Sequence, residues 1–263
     1  MEIIVIAVFL LIVIVVIAAS LKRSAPLAEF NLRPFEESCA SLDTSVSPPQ
    51  ESVELSALLP QHFIVLDLET TGLNPYRDEI IEFGAIRVNL ASDNHTSFRT
   101  LVKPNRKVPR KITEITSITQ EMVDSEGLEL RDALNQFIEF IGDLPLVTYN
   151  ADFDMGFLYS AAKKHEFVIG NRYACALKRA RRAWPGLPSY SLVNLAKMGR
   201  LSDEDTHRAL GDCKRAMIVF ISATSKLGQK VRWSKPQVEP GVLHQANAAP
   251  ESSVPSIPTT LEN

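Results

Sequence analysis

Asp67 and Glu69 stand two residues apart at the end of a short apolar run, His62 to Leu68 (HFIVLDL). In an extended strand, side chains at that spacing share one face. Two carboxylates held side by side on a buried strand repel each other and lose hydration, and a divalent cation is the usual remedy. The pair is also compatible with two solvated carboxylates on an edge strand. Asp154 follows in Tyr149-Asn150-Ala151-Asp152-Phe153-Asp154, where an apolar strand passes into a helix. Open α/β sheets place ligands at such strand ends. The same position suits a helix cap, a role Asn150 or Asp152 fills equally well. Asp212 falls five residues after His207 in HRALGD. A carboxylate inside an apolar-striped helix is costly unless it meets solvent or a cation. A histidine there is by itself most simply structural.

These residues need a frame. Glu79 to Val88 and Thr96 to Val102 read as second and third strands, with turn residues Thr71 to Pro75 after the first. Pro145 to Thr148 reads as a fourth strand. Leu130, Leu134, Phe137, Ile138 and Ile141 recur at helical spacing over Leu130 to Ile141. Further helices are expected over Asp152 to Lys164, Tyr173 to Ala183, Ser191 to Lys197 and His207 to Leu227. Strands followed by alternating strand and helix predict an α/β layer with a mixed sheet.

Residues 63–88 (FIVLDLETTGLNPYRDEIIEFGAIRV), 146–158 (LVTYNADFDMGFL) and 207–212 (HRALGD) resemble the three sequence motifs of the DEDDh 3′→5′ exonucleases. That superfamily contains the proofreading epsilon subunit of bacterial DNA polymerase III. Lys103-Pro104 and the Val108 to Thr116 stretch are similar as well, so the resemblance covers about residues 61–225. Motif order and spacing agree throughout. Tyr149, where many relatives carry His, and Ser117, where Gly is common, depart from the pattern.

The resemblance implies a ribonuclease-H-like fold: a mixed five-stranded sheet flanked by helices. It implies 3′→5′ exonuclease activity on single-stranded DNA or RNA 3′ ends with two Mg²⁺ or Mn²⁺ ions. Asp67, Glu69 and Asp212 would hold one ion. Asp67 would bridge to the second, which Asp154 would reach largely through water. His207 would be the general base. Thr70, Leu73, Asn150, Phe153 and His207 are the expected substrate contacts, with Leu73 wedged against the terminal base and Phe153 more a packing residue than a stacking one. A binding or scaffold protein without catalysis on the same fold would be expected to have lost part of this set. A replisome proofreading subunit would sit poorly with the amino terminus described next.

Composition bounds the rest. The 263-residue chain carries a formal charge of −3, yet basic residues slightly outnumber acidic ones between Gln61 and Trp233. A mild positive balance is compatible with a polyanionic substrate. Basic clusters at 106–107, 110–111, 163–164, 178–179 and 181–182 read either as phosphate contacts or as ordinary solvated faces. Cys39, Cys175 and Cys213 are odd in number and have no CxxC spacing, a pattern that suggests neither a disulfide framework nor a thiolate zinc site and favours free thiols.

Ile3 to Ala19 (IIVIAVFLLIVIVVIAA) is unbroken apolar sequence. As a helix it reaches about 26 Å, close to the ~30 Å hydrocarbon core. Lys22 and Arg23 follow it, and no Lys or Arg precedes it. The positive-inside bias predicts a single-pass inner-membrane anchor over residues 3–21 with the remainder in the cytoplasm. Ala18-Ala19-Ser20 also permits a signal-peptide reading. The expected organisation is an anchor over 1–23, a linker over 24–60, a catalytic domain over 61–230 and a disordered tail over 231–263.

Overall fold

The computed structural model describes residues 54–92, 94–201 and 207–237. The expected membrane anchor, most of the linker and most of the tail lie outside these residues. Among the described residues, no helix is long and apolar enough to cross a membrane.

Among the described residues, five strands form one sheet in the order β3-β2-β1-β4-β5. They are β1 His62–Thr70, β2 Ile80–Asn89, β3 Thr96–Leu101, β4 Leu146–Thr148 and β5 Tyr173–Cys175. The first three make an antiparallel meander, and β4 and β5 run parallel to β1. Among the described residues, eight helices surround the sheet: α1 Leu55–Leu58, α2 Arg110–Thr116, α3 Gln120–Glu126, α4 Leu130–Ile141, α5 Ala151–Lys164, α6 Ala176–Ala183, α7 Leu192–Met198 and α8 Ala209–Leu227. This is the mixed, helix-flanked, ribonuclease-H-like sheet that the sequence predicts.

The alternation along β1 decides which layer each residue joins. Ile64, Leu66 and Leu68 enter one core with Phe137 of α4 and Leu158 of α5. Phe63 and Val65 enter the other with Met217 and Phe220 of α8. Asp67 and Glu69 continue the second series, so they point toward α8. The apolar stripe foreseen on α4 has its helix at the same bounds, with Leu134, Phe137 and Ile141 buried. Leu59 from one flank, and Val231 and Trp233 from the other, pack into the α8 layer.

Two expectations need correction. The helix foreseen over Tyr173 to Ala183 is split. Tyr173–Cys175 is strand β5, which buries Ala174 and bridges to Ser234, and the helix begins at Ala176. Three residues are too few for alternation to register in sequence. The last helix starts at Ala209, and His207 sits before it in a turn at φ 59°. Ser117 also adopts the left-handed region, φ 60°, closing α2 where a glycine would carry no steric penalty.

Candidate active site

β1 delivers Asp67 and Glu69 to the α8 side of the sheet, opposite Gly84 and Glu82 of β2 respectively. The first turn of α8 then brings Asp212 over them. Carboxylate oxygens of Asp67, Glu69 and Asp212 lie within 4.8 Å of one another. Gly84 makes this approach possible. A Cβ there would fall 2.6 Å from the carbonyl carbon of Ala209 and 2.7 Å from the amide nitrogen of Leu210. The start of α8 therefore rests directly on the β2 backbone.

Asp154 completes the group from the first turn of α5, where β4 ends. It is buried and accepts a hydrogen bond from the Thr148 hydroxyl. The amides of Leu68 and Asn150 also donate to it. Asp212 accepts from Arg215 Nη1 at 2.9 Å and from the His207 amide. His207 itself is exposed at the rim.

The electrostatics follow from this crowding. Burial, then repulsion from Asp154, Glu69 and Asp212, holds Asp67 well above the usual carboxylate range. Burial and the charge of Asp212 push Glu69 up to about 8. Burial raises Asp154 to about 7 against the opposing hydrogen bond from Thr148. Burial also raises Asp212, while Arg215 and His207 oppose the shift. Four carboxylates that all resist ionisation form a site lacking positive charge. Hard oxygen donors in this number suit Mg²⁺ or Mn²⁺ better than softer metals.

Glu82 is a residue that sequence reasoning passed over. It is fully buried across from Glu69. Its carboxylate accepts from Arg208 Nε at 3.2 Å, Arg208 Nη2 at 2.6 Å and the Ala209 amide at 2.9 Å. It thus ties β2 to the start of α8, between His207 and Asp212. The available signal was a lone charge inside the apolar run IIEFGAI.

The residues expected at the substrate edge differ in exposure and contacts. Leu73 is 83% exposed, and the Thr70 hydroxyl donates to the Gly72 carbonyl at 2.6 Å. Asn150 is exposed before α5. Phe153 packs on Phe157, ring centroids 5.0 Å apart, in line with a packing role. Several basic residues are engaged internally. Arg179 donates to Thr224 and Gln229, Arg182 to Gln229, and Lys178 pairs with Asp152.

Residues 64–220 match the family model described as Exonuclease, RNase_T. DNA polymerase III subunit epsilon of Aquifex aeolicus is 32% identical over 182 residues, covering 69% of this chain and 89% of that protein. The PolC-type DNA polymerase III of Caldanaerobacter subterraneus subsp. tengcongensis is 36% identical over 174 residues. That match covers 66% of this chain and only 12% of the polymerase. Among solved structures, exonuclease X in complex with 5′ overhanging duplex DNA superposes with a TM-score of 0.51 at 26% identity, covering 64% of this chain and 94% of that one. The zinc-bound E. coli exonuclease I–single-stranded DNA complex gives a TM-score of 0.55 at 22% identity, over 64% and 41% of the two chains, a likeness of fold. With the family model spanning most of the folded region and a carboxylate cluster at its centre, the chain belongs to the RNase_T exonuclease family and is a nuclease hydrolase.

Proposed function

We propose that the protein is a DEDDh-type 3′→5′ exonuclease that hydrolyses phosphodiester bonds at the 3′ ends of DNA, RNA or both. The observation that carries this reading is the convergence of Asp67, Glu69 and Asp212 within 4.8 Å, with buried Asp154 beside them. DNA as a substrate is supported by the likeness to exonuclease X, whose structure holds duplex DNA.

Asp67, Glu69 and Asp212 would hold a divalent ion, with Asp154 and Asp67 serving a second. Bound there, Mg²⁺ or Mn²⁺ supplies Lewis acidity toward water and phosphoryl oxygen and offsets the charge of the phosphate. The chain's own residues contribute position and proton handling. His207, exposed at the solvent edge, would accept a proton from the attacking water as general base. Its turn is held by the hydrogen bond that its backbone N–H donates to the Asp212 carboxylate and by the anchoring of Arg208 on Glu82. Leu73 and Thr70, with Asn150 and Phe153, would contact the terminal nucleotide.

The test is release of mononucleotides from a 3′-labelled oligonucleotide in Mg²⁺. The Asp67→Ala/Glu69→Ala variant is expected to lose activity by more than about 100-fold, the loss that removal of an outer partner alone can reach at a metal site. Undiminished hydrolysis in this variant overturns the reading. Matched DNA and RNA oligonucleotides in the same assay decide the sugar preference.

The apolar run over residues 3–21 supports a further part of the proposal: the catalytic domain works at the cytoplasmic face of the membrane. A reporter fused to the carboxyl terminus is expected to be active in the cytoplasm. A periplasmic signal reverses the topology.

A further inference from the structure

α8 buries two opposite charges one turn apart. Asp212 and Arg215 stand at i and i+3 in GDCKRAM, a spacing that puts side chains on one face of a helix. Arg215 Nη1 donates to Asp212 Oδ1 at 2.9 Å. The side chain of Arg215 is 4% exposed and that of Asp212 13%. Cys213, Ala216, Met217 and Ile218 beside Arg215 in the helix are buried too. Desolvating a guanidinium is costly, and an apolar side chain of similar volume often serves a fold as well or better. Arg215 therefore has a use beyond packing, and what it holds is a carboxylate of the cluster.

That carboxylate has little freedom. Arg215 stays charged at any working pH, and water has little access to take its place beside Asp212. The backbone of Asp212 is held as well, because the start of α8 rests on β2 at Gly84. Asp212 can turn both oxygens toward Asp67 and Glu69, whose oxygens it approaches within 4.8 Å, only by giving up the bond to Arg215. Metal ions differ in that demand. Mg²⁺ takes about six oxygens in a strict octahedron, several of them from water. Ca²⁺ takes about six to eight at longer distances and often draws both oxygens of one carboxylate.

We propose that Arg215 is a positioning residue that limits Asp212 to one metal-binding oxygen and so favours Mg²⁺ over Ca²⁺ in the cluster. The inference rests on the metal-dependent exonuclease reading of the carboxylates. In this role Arg215 touches neither ion nor substrate and acts through Asp212. Its charge also weakens the pull of the cluster on any divalent cation. That effect is nearly the same for Mg²⁺ and Ca²⁺, which carry equal charge. The ratio of the two affinities therefore isolates the geometric effect.

The test is isothermal titration calorimetry of the full chain in detergent, with Mg²⁺ and with Ca²⁺, for the parent, Arg215→Met and Arg215→Lys. Met is apolar and of similar length, so it releases Asp212. The Ca²⁺-to-Mg²⁺ affinity ratio of the Met variant is expected to rise about tenfold or more, the effect an outer partner can have at a metal site. Lys keeps a charged donor for the single contact with Oδ1, so its ratio stays within about twofold of the parent's. Ca²⁺ should correspondingly inhibit Mg²⁺-supported hydrolysis more strongly in the Met variant. Thermal unfolding in EDTA shows whether each variant folds. If the Met variant does not, Arg215→Gln takes its place. A neutral amide holds a carboxylate less strongly than a guanidinium, and a rise of about threefold or more is expected.

A ratio in the Met variant within about twofold of the parent's overturns the proposal and leaves Arg215 as a support of α8 alone. An equal rise in the Met and Lys variants overturns it too. Hydrolysis of a 3′-labelled single strand by the parent protein in Mg²⁺ is measured separately. A parent that binds Mg²⁺ without hydrolysing refutes the exonuclease reading, while the calorimetric ratio still judges Arg215. A parent that binds neither ion, or whose binding survives in Asp67→Ala/Glu69→Ala, refutes the metal site and the proposal with it.

Discussion

Glu82 shows how a residue can matter to a site without facing the substrate. Its charge adds to the repulsion on Asp67 and Glu69, so by itself it opposes ionisation of the cluster. Its three hydrogen bonds explain its place, for they hold Arg208 and the Ala209 amide. Glu82→Gln keeps the shape but turns an amide nitrogen toward a guanidinium and loses the charge-assisted bonds. The expected cost is about 2 kcal/mol, within the range for hydrogen bonds to charged groups and below that for a fully buried pair, since Arg208 is partly exposed. Urea denaturation measures this, and kcat should fall with KM little changed as His207 loses its seat. A variant of unaltered stability and kcat argues against the clamp. The gathering of Asp67, Glu69, Asp154 and Asp212 was legible because motif order and spacing mark them. Glu82 was not, because its partner lies 126 residues away in sequence and a strand glutamate alone reads as an outward-facing side chain.

Among the elements, the contact of α8 with β2 controls the geometry, and Gly84 controls the contact. Gly84→Ala places a methyl group against backbone atoms of Ala209 and Leu210, which no rotamer change relieves. Overpacking of this kind costs about 1–3 kcal/mol. It should also lift Asp212 away from Asp67 and Glu69. The expected outcome is a lower thermal midpoint and a Mg²⁺ requirement for activity raised at least severalfold, read from a metal titration of hydrolysis. Unchanged metal dependence means that Asp212 keeps its place over Asp67 and Glu69 despite the added methyl group. The longer elements were visible in sequence where their periodicity ran for several turns or residues, as in α4 and β1. Strand β5 was hidden by its three-residue length. The turn at His207 was hidden because HRALGD continues a helical pattern, and nothing in it announces a positive φ. Its cause is tertiary: Arg208 must reach Glu82 while the His207 amide reaches Asp212.

At the scale of the whole molecule, the site stores a conflict between folding and ionisation. The sheet and its flanking helices close around carboxylates contributed by β1, α5 and α8, so folding gathers charges that the unfolded chain keeps apart. For Glu69 the folded value is about 8 against an ordinary 4.5. For Asp154 it is about 7 against 3.8. Groups raised in this way bind more protons in the folded state. Their contribution to stability is therefore whole below the ordinary values and is lost as pH rises through the folded ones. Without a divalent ion, stability should decline from about pH 5 to about pH 8 through these groups. A bound cation takes over the role of the protons and stabilises the folded state by mass action. The gain in thermal midpoint on exchanging EDTA for Mg²⁺ should then be small near pH 5, where protons compete for the oxygens, and large near pH 8. Taking that difference at each pH cancels the titration of groups elsewhere in the chain. Asp67→Asn/Glu69→Gln should flatten the metal-free profile and abolish the Mg²⁺ gain together, because one cluster causes both. A Mg²⁺ gain that is equal at both pH values, or that survives in this variant, would place the stabilising ion outside the cluster.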